Sequence, residues 1–264
     1  MKIRLVIALV FAAHSIPSVA QEKFSKLVWS DEFNQEGKPD TSKWVYDIGK
    51  GWNDGWGNNE LQFYTDEQKN VRVEEGMLVI EAHRESRDGK NYTSTRIKSK
   101  GKGDWLYGRF VIRAKIPSGL GTWPAIWMLP TEEKYGGWPS SGEIDIMEHV
   151  GYDPNVVHGT IHTEAYNHSI GTQKEGKITV KDAIDSFHDY IIEWDESSIK
   201  FFVDKKLYHT VTRGKNEDYK GWPFNQRFHI IMNIAVGGNW GGSKGVDENI
   251  WPRKMEIDYV RVYQ

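Results

Sequence analysis

No cysteine occurs among the 264 residues, so neither a disulfide framework nor a thiolate metal site can hold this chain together. Clusters of Lys and Arg are also missing, and the formal net charge is -3. That balance argues against nucleic acid or an anionic membrane surface as partner and favours a neutral ligand. Long apolar runs are confined to the extreme N-terminus. There Lys2 and Arg4 precede the run Leu5 to Ala13, and Ser18-Val19-Ala20 offers small residues for cleavage. A run of about ten residues is too short for a bilayer, which takes about twenty. Residues 1–20 therefore read as a signal peptide and 21–264 as one exported domain with no membrane span. Losing the leader takes away two positive charges and shifts the net charge from -3 to -5. The mature chain reads as a monomer.

Helical periodicity is scarce too. Short extended segments alternate with Gly, Asn, Asp and Pro. Val71-Arg72-Val73 and Met77 to Ala82 flank the turn-like Glu74-Glu75-Gly76, and Tyr107 to Ile116 alternates as a strand with one wet face. Phe187 to Trp194 and Ile199 to Asp204 predict a hairpin, and Phe228 to Val236 and Met255 to Tyr263 two more strands. Leu27 to Phe33 is predicted to pair with Ile257 to Tyr263, and the one helix expected is short, near Val180 to Ser186. Many strands without crossover helices imply an all-β fold with antiparallel sheets, a sandwich or barrel. Aromatic residues make up 13% of the chain, with 12 Trp. That exceeds what one core ordinarily uses, and leaves indole faces for stacking on a ligand such as a sugar.

The segment Gly142-Glu143-Ile144-Asp145-Ile146-Met147-Glu148-His149-Val150 holds three carboxylates within six residues. On a helix, at about 100° per residue, they would scatter. On a regular strand Glu143 and Asp145 share a face and Glu148 takes the other. A β-bulge at Ile146-Met147 would bring all three to one cleft, and bulges are enriched beside active sites. A solvated acidic strand and a metal site that includes His149 are the rival readings. Like charges along one face are unfavourable without a purpose, and three carboxylates on a flat strand do not encircle an ion. Two carboxylates facing a groove are what glycoside hydrolysis requires, one as nucleophile and one as general acid, with no cofactor.

The segment Glu143-x-Asp145-x-x-Glu148 resembles the signature of glycoside hydrolase family 16, in the bulged form of bacterial laminarinases. The likeness extends to Leu27–Phe33, Gly57–Gln62, Gly121–Pro130, His158–His162, Asn233–Trp240 and Asp258–Tyr263. It implies a β-jelly-roll sandwich with a cleft across its concave sheet, Glu143 as nucleophile, Glu148 as acid/base and Asp145 as assistant. It further implies substrate contacts from Trp123, Trp127, Arg96, His162, Trp240, Asn59 and Glu60. Trp123 and Trp127 share a strand face, and Trp240 sits in a glycine-rich loop where exposure is expected. His162 is favoured over His158 as the neighbour of the acids. A structural calcium on the convex face would take Asp258 with the carbonyls of Glu32 and Gly76.

The expected activity is endo-acting, retaining hydrolysis of β-1,3-linked glucan. Alternatives within the class are a mixed-linkage β-1,3-1,4-glucanase, whose motif is usually one residue shorter, and an agarase or carrageenase, whose anionic substrates suit a more basic cleft. A non-catalytic glucan-binding module or an adhesive sandwich would need no paired Glu.

Overall fold

The computed structural model describes residues 23–264. The expected leader, residues 1–20, lies outside the described residues. Along the chain run β1 (Leu27–Asp31), β2 (Val45–Asp47), β3 (Gln62–Tyr64), β4 (Val71–Glu74), β5 (Met77–Ala82), β6 (Tyr92–Ser94), β7 (Arg96–Lys98), β8 (Gly108–Lys115) and β9 (Thr122–Pro130). They are followed by β10 (Glu143–Glu148), β11 (Val156–His162), β12 (Lys174–Thr179), β13 (His188–Trp194), β14 (Ser198–Val203), β15 (Lys206–Thr212), β16 (Phe228–Val236) and β17 (Arg253–Tyr263). One sheet has the order β15-β14-β13-β8-β17-β5-β4, with β1 also on β17, and the other the order β12-β11-β10-β9-β16-β7-β2. Both are antiparallel, and together they form the expected β-jelly-roll sandwich. A small parallel pair, β3 with β6, departs from the antiparallel expectation.

Alternation explains the layers. From the seven-stranded sheet, Ile126 and Met128 (β9), Ile144 (β10) and Ile230, Met232 and Ile234 (β16) point inward. They meet Phe110 and Ile112 (β8), Tyr190, Ile192 and Trp194 (β13) and Val260 and Val262 (β17) of the other sheet. Every residue of β16 is buried, because its second face lies under the cleft described below. The two chain ends pair as expected, β1 against β17. Between β4 and β5, Glu75 (φ +54°) and Gly76 (φ +74°) make a tight turn whose left-handed backbone explains the glycine.

The segment Val180–Ser186 forms turns, not the expected helix. Its bonds are Ala183 N–H to Val180 O at 3.1 Å and Ser186 N–H to Asp182 O at 2.9 Å. Only Ala183 among these residues is fully buried. With one buried anchor and Asp and Ser side chains competing for backbone groups, so short a segment does not offset the cost of helix nucleation.

The core predicts its own weak point. Phe228 is fully buried against Trp194 at 5.3 Å and Phe224 at 5.8 Å. Phe228→Ala is expected to lower unfolding free energy by about 3–5 kcal/mol in guanidinium titration; a loss below about 1 kcal/mol would mean that the core closes around the void.

Candidate active site

β10 is irregular at the predicted place. Against β9, Asp145 pairs with Trp127 and Met147 with Ile126, so Ile146 is the inserted residue. Against β11, Asp145 pairs with Thr160 and Glu148 with His158, two residues opposing Gly159. Ile146 and Met147 both enter the hydrophobic core. The bulge thus absorbs one residue on the apolar side and returns Glu148 to the face of Glu143 and Asp145. All three line one cleft of about 740 Å³ across the seven-stranded sheet.

Each carboxyl has its own neighbours. The indole N–H of Trp138 donates to Glu143 Oε2 at 2.7 Å, and that of Trp123 to Glu148 Oε1 at 3.0 Å. His162 Nε2 lies 3.3 Å from Asp145 Oδ2 and 4.0 Å from Glu143 Oε1. Burial, then the charge of Asp145, pushes Glu143 up to about 8, while His162 and the Trp138 N–H oppose the shift. Burial pushes Glu148 up to about 7, offset in part by the Trp123 N–H. Asp145 is raised well above the usual carboxylate range, by burial and by the charge of Glu148. Near neutral pH the cluster therefore holds protons, which is the condition a general acid needs. Glu143, Asp145 and His162 offer donor atoms within 4.8 Å of one another and form the one potential metal cluster of three such residues among the described residues. One oxygen of Glu143 is already bonded to Trp138. His149 is not part of it: buried, it binds Val156 O through Nδ1 at 2.8 Å.

The other expected residues separate into two groups. Trp123, Trp127, Arg96 and Glu60 line the cleft. Arg96 is no solvated strand arginine: it is 6% exposed, lies between the rings of Trp56 at 4.8 Å and Trp127 at 4.7 Å, and pairs with Asp47 at 3.1 Å. Trp127 donates to Asn233 Oδ1 at 2.7 Å, Asn233 to Tyr64 OH at 3.0 Å, and Tyr64 to Glu60 Oε2 at 3.3 Å. Glu60, also held by Gln62 at 2.6 Å, has its pKa raised by burial. His162, Asn59 and Trp240 do not line the cleft. His162 stands beside the acids on β11, paired with Glu143, and Asn59 spends its amide on Asn239 at 2.8 Å. Trp240 corrects the expectation of exposure. It is half-buried, edge-on to Trp123 at 5.5 Å and to His158 at 5.0 Å. The bonds Asn239 N–H to Asn58 O and Gly237 N–H to Gly121 O, both 2.8 Å, pin its loop down over Trp123.

Three lining tryptophans were not singled out from sequence: Trp52, Trp56 and Trp138. Their only local signal is a glycine-rich setting, Gly51-Trp52-Asn53-Asp54-Gly55-Trp56-Gly57 and Gly136-Gly137-Trp138-Pro139. Trp52 and Trp138 are 58% and 42% exposed, which suits them to stacking on a ligand.

The carboxyl cluster sets a pH-dependent penalty on the fold. Glu143 in the folded state titrates near 8 against an ordinary 4.5. The native protein therefore binds the proton more tightly than the unfolded chain, and stability falls as pH rises between those values. Glu143→Gln removes the ionisation. At pH 8 it is expected to unfold with a free energy about 1–3 kcal/mol higher than wild type, the gain vanishing near pH 4. A gain independent of pH would overturn this reading.

Residues 54–261 match the model of Glycosyl hydrolases family 16. The chain is 54% identical over 246 residues to a β-glucanase of Rhodothermus marinus, spanning 90% of this chain and 85% of that protein. It superposes on the X-ray structure of the laminarinase from Rhodothermus marinus with a TM-score of 0.88 at 55% identity, over 90% of this chain and 97% of the other. A non-specific endo-β-1,3(4)-glucanase, co-crystallised with 1,3-β-D-cellotriosyl-glucose, superposes with a TM-score of 0.87 at 45% identity, over 95% and 96%. A family match over most of the chain, joined to the bulged acidic strand, leads to one conclusion: the chain belongs to glycoside hydrolase family 16.

Proposed function

We propose that this chain is an endo-acting, retaining β-1,3-glucanase that cleaves laminarin-like polymers by double displacement. One observation carries the reading: the bulge turns Glu143 and Glu148 toward a single cleft. In the reactive form the proton held by the cluster rests on Glu148, and Glu143 attacks the anomeric carbon as the carboxylate and forms the glycosyl-enzyme. Glu148 protonates the leaving oxygen, then deprotonates the water that releases the product. Asp145, with His162 Nε2 3.3 Å from its Oδ2, adjusts the charge of Glu143. No cofactor takes part. The cleft is lined by β7, β16, β9 and β10, three strand spacings or about 14 Å. That width lets the interior of a chain lie across it and supports endo cleavage. Trp52, Trp123 and Trp138 supply the stacking faces for a neutral polysaccharide, while Trp56 and Trp127 hold Arg96 between them.

A second reading, cleavage of mixed-linkage β-1,3-1,4-glucan as well, is favoured by the resemblance to a glucanase described as non-specific. Product analysis on laminarin, lichenan, agarose and carrageenan separates these activities. Laminarin is expected to be cleaved fastest, with the first product released as the β anomer in NMR. Glu143→Ser is expected to lose hydrolysis by at least about 10³-fold while still binding oligosaccharide. Near-normal turnover in that variant, or an α product, would refute the mechanism.

We also propose a structural calcium held by Asp258 with the carbonyls of Glu32 and Gly76. The three lie where β1, β17 and the β4–β5 turn converge: Asp31 pairs with Val260, Ile257 with Leu78, and Asp258 is the inserted residue of β17 against β8. An all-oxygen donor set suits calcium. The Glu32 carboxylate is held by Arg261 at 2.9 and 2.7 Å, so its part in the site is the carbonyl. The ion must compete with Arg113, whose Nε lies 3.2 Å from Asp258 Oδ2. Calcium is expected to raise the Tm of wild type over that in EGTA and to leave Asp258→Ala unmoved. Equal shifts in both proteins would place the ion elsewhere.

A further inference from the structure

The loop between β2 and β3 lines the cleft on its β7 side, where Trp56 lies against Arg96. It carries Trp52, Trp56 and Asn58. Its backbone is costly: Asn53, Asp54, Trp56 and Asn59 have φ of +56°, +51°, +53° and +56°. Residues with a Cβ take that region only where the surroundings hold them there. Internal bonds supply part of the support, Asn58 N–H to Gly55 O at 2.9 Å and Glu60 N–H to Gly55 O at 3.1 Å. Gly57 makes room for the Trp52 indole, which a Cβ would meet at 2.8 Å.

External support comes from Asn239, which bonds Asn58 O and Asn59 at 2.8 Å each, and from one ammonium group on the opposite flank. Lys90 closes a tight turn with Arg87, their backbone groups bonded in both directions at 2.9 Å. Its Nζ donates to the carbonyl oxygen of Asp54 and, at 2.8 Å, to that of Glu60. Those two carbonyls stand on either side of Trp56 and Asn58. Lys50 reinforces the junction, lying 3.4 Å from both Asp54 and Asp88, the latter in the same turn as Lys90. Lys90 is half-buried, so its bonds to the loop are partly shielded from water. Arg96 of β7 lies against Trp56, three strands from β10 in the order β10-β9-β16-β7. The β7 backbone is therefore about 14 Å from that of β10, and the loop meets a ligand on that side of the acids.

We propose that Lys90 is a positioning residue for substrate length: by bonding the carbonyls of Asp54 and Glu60 it fixes the loop that presents Trp52, with Trp56 packed on Arg96 beneath it, and so sets the affinity for chains reaching beyond the catalytic acids. The inference rests on the glucanase reading above. It assigns Lys90 no contact with the reacting atoms.

The test compares a β-1,3-linked trisaccharide with long oligosaccharides of the same linkage. Lys90→Met is expected to raise KM for the long substrates by about fivefold or more and to leave their kcat within about twofold. Its KM for the trisaccharide is expected to stay near that of wild type, and Lys90→Arg is expected to restore the long-substrate KM. Should Lys90→Met fail to fold, Lys90→Gln, which keeps much of the length and loses the charge, is measured in the same way. Equal changes at both lengths, no change at either, or a fall in kcat alone would overturn the proposal. A wild type that hydrolyses neither substrate would instead overturn the glucanase reading, so the two failures are distinct.

Discussion

A β-strand alternates its side chains, so two residues five apart face opposite ways unless something is inserted between them. Ile146 is that insertion, and the rest of the site depends on it. The extra residue would be a burden if it exposed apolar surface or left a gap. Here Ile146 and Met147 both join the sandwich core, and the irregularity is absorbed where close packing holds it in register. With Glu148 returned to the cleft, Trp123 on the neighbouring strand reaches it with its N–H. The chemistry of one face is thus fixed by the packing of the other.

The electrostatics follow from the same compression. Three carboxyls on six residues of a largely buried strand cannot all ionise cheaply at neutral pH, and their pKa values rise. Two indole N–H groups and the His162 ring partly offset the cost, and each does so asymmetrically. Trp138 serves Glu143, Trp123 serves Glu148, and His162 lies nearest Asp145. The site gives up stability to keep a proton available, a common trade in enzymes. The wholly buried β16 and the aromatic contacts around Trp194 and Phe228 supply the surplus.

Features repeating with the strand period were legible in the sequence. Alternation located β8, β16 and β17 to within about two residues, and the spacing of Glu143, Asp145 and Glu148 was enough to require the bulge. Features set by non-local contacts were not legible. Nothing near Trp240 reveals that Asn58 and Gly121 fold its loop down onto Trp123, and a glycine-rich setting by itself suggests exposure. The same kind of setting hides Trp52 and Trp138, which are exposed. Asn59 lies beside Glu60 in sequence, yet its amide faces Asn239. Lys90 carries no local signal at all, since its partners are 36 and 30 residues away.

These two kinds of residue occupy different structural elements. The acids, Trp123, Trp127, Arg96 and Asn233 stand on strands of the seven-stranded sheet, whose register fixes them to one another. Trp52, Trp56 and Trp138 stand on loops, and their placement depends on a few polar ties. A glycosidic bond of fixed geometry needs the first kind of precision, because small displacements of a nucleophile are costly in rate. Recognition of a longer or differently linked chain needs only that stacking faces be moved, and loops can be altered without disturbing the sheet. The division between sheet and loop is therefore also a division between what reaction is performed and which polysaccharide receives it. It explains why the acidic strand identifies the chemistry so much more sharply than the sequence identifies the preferred linkage.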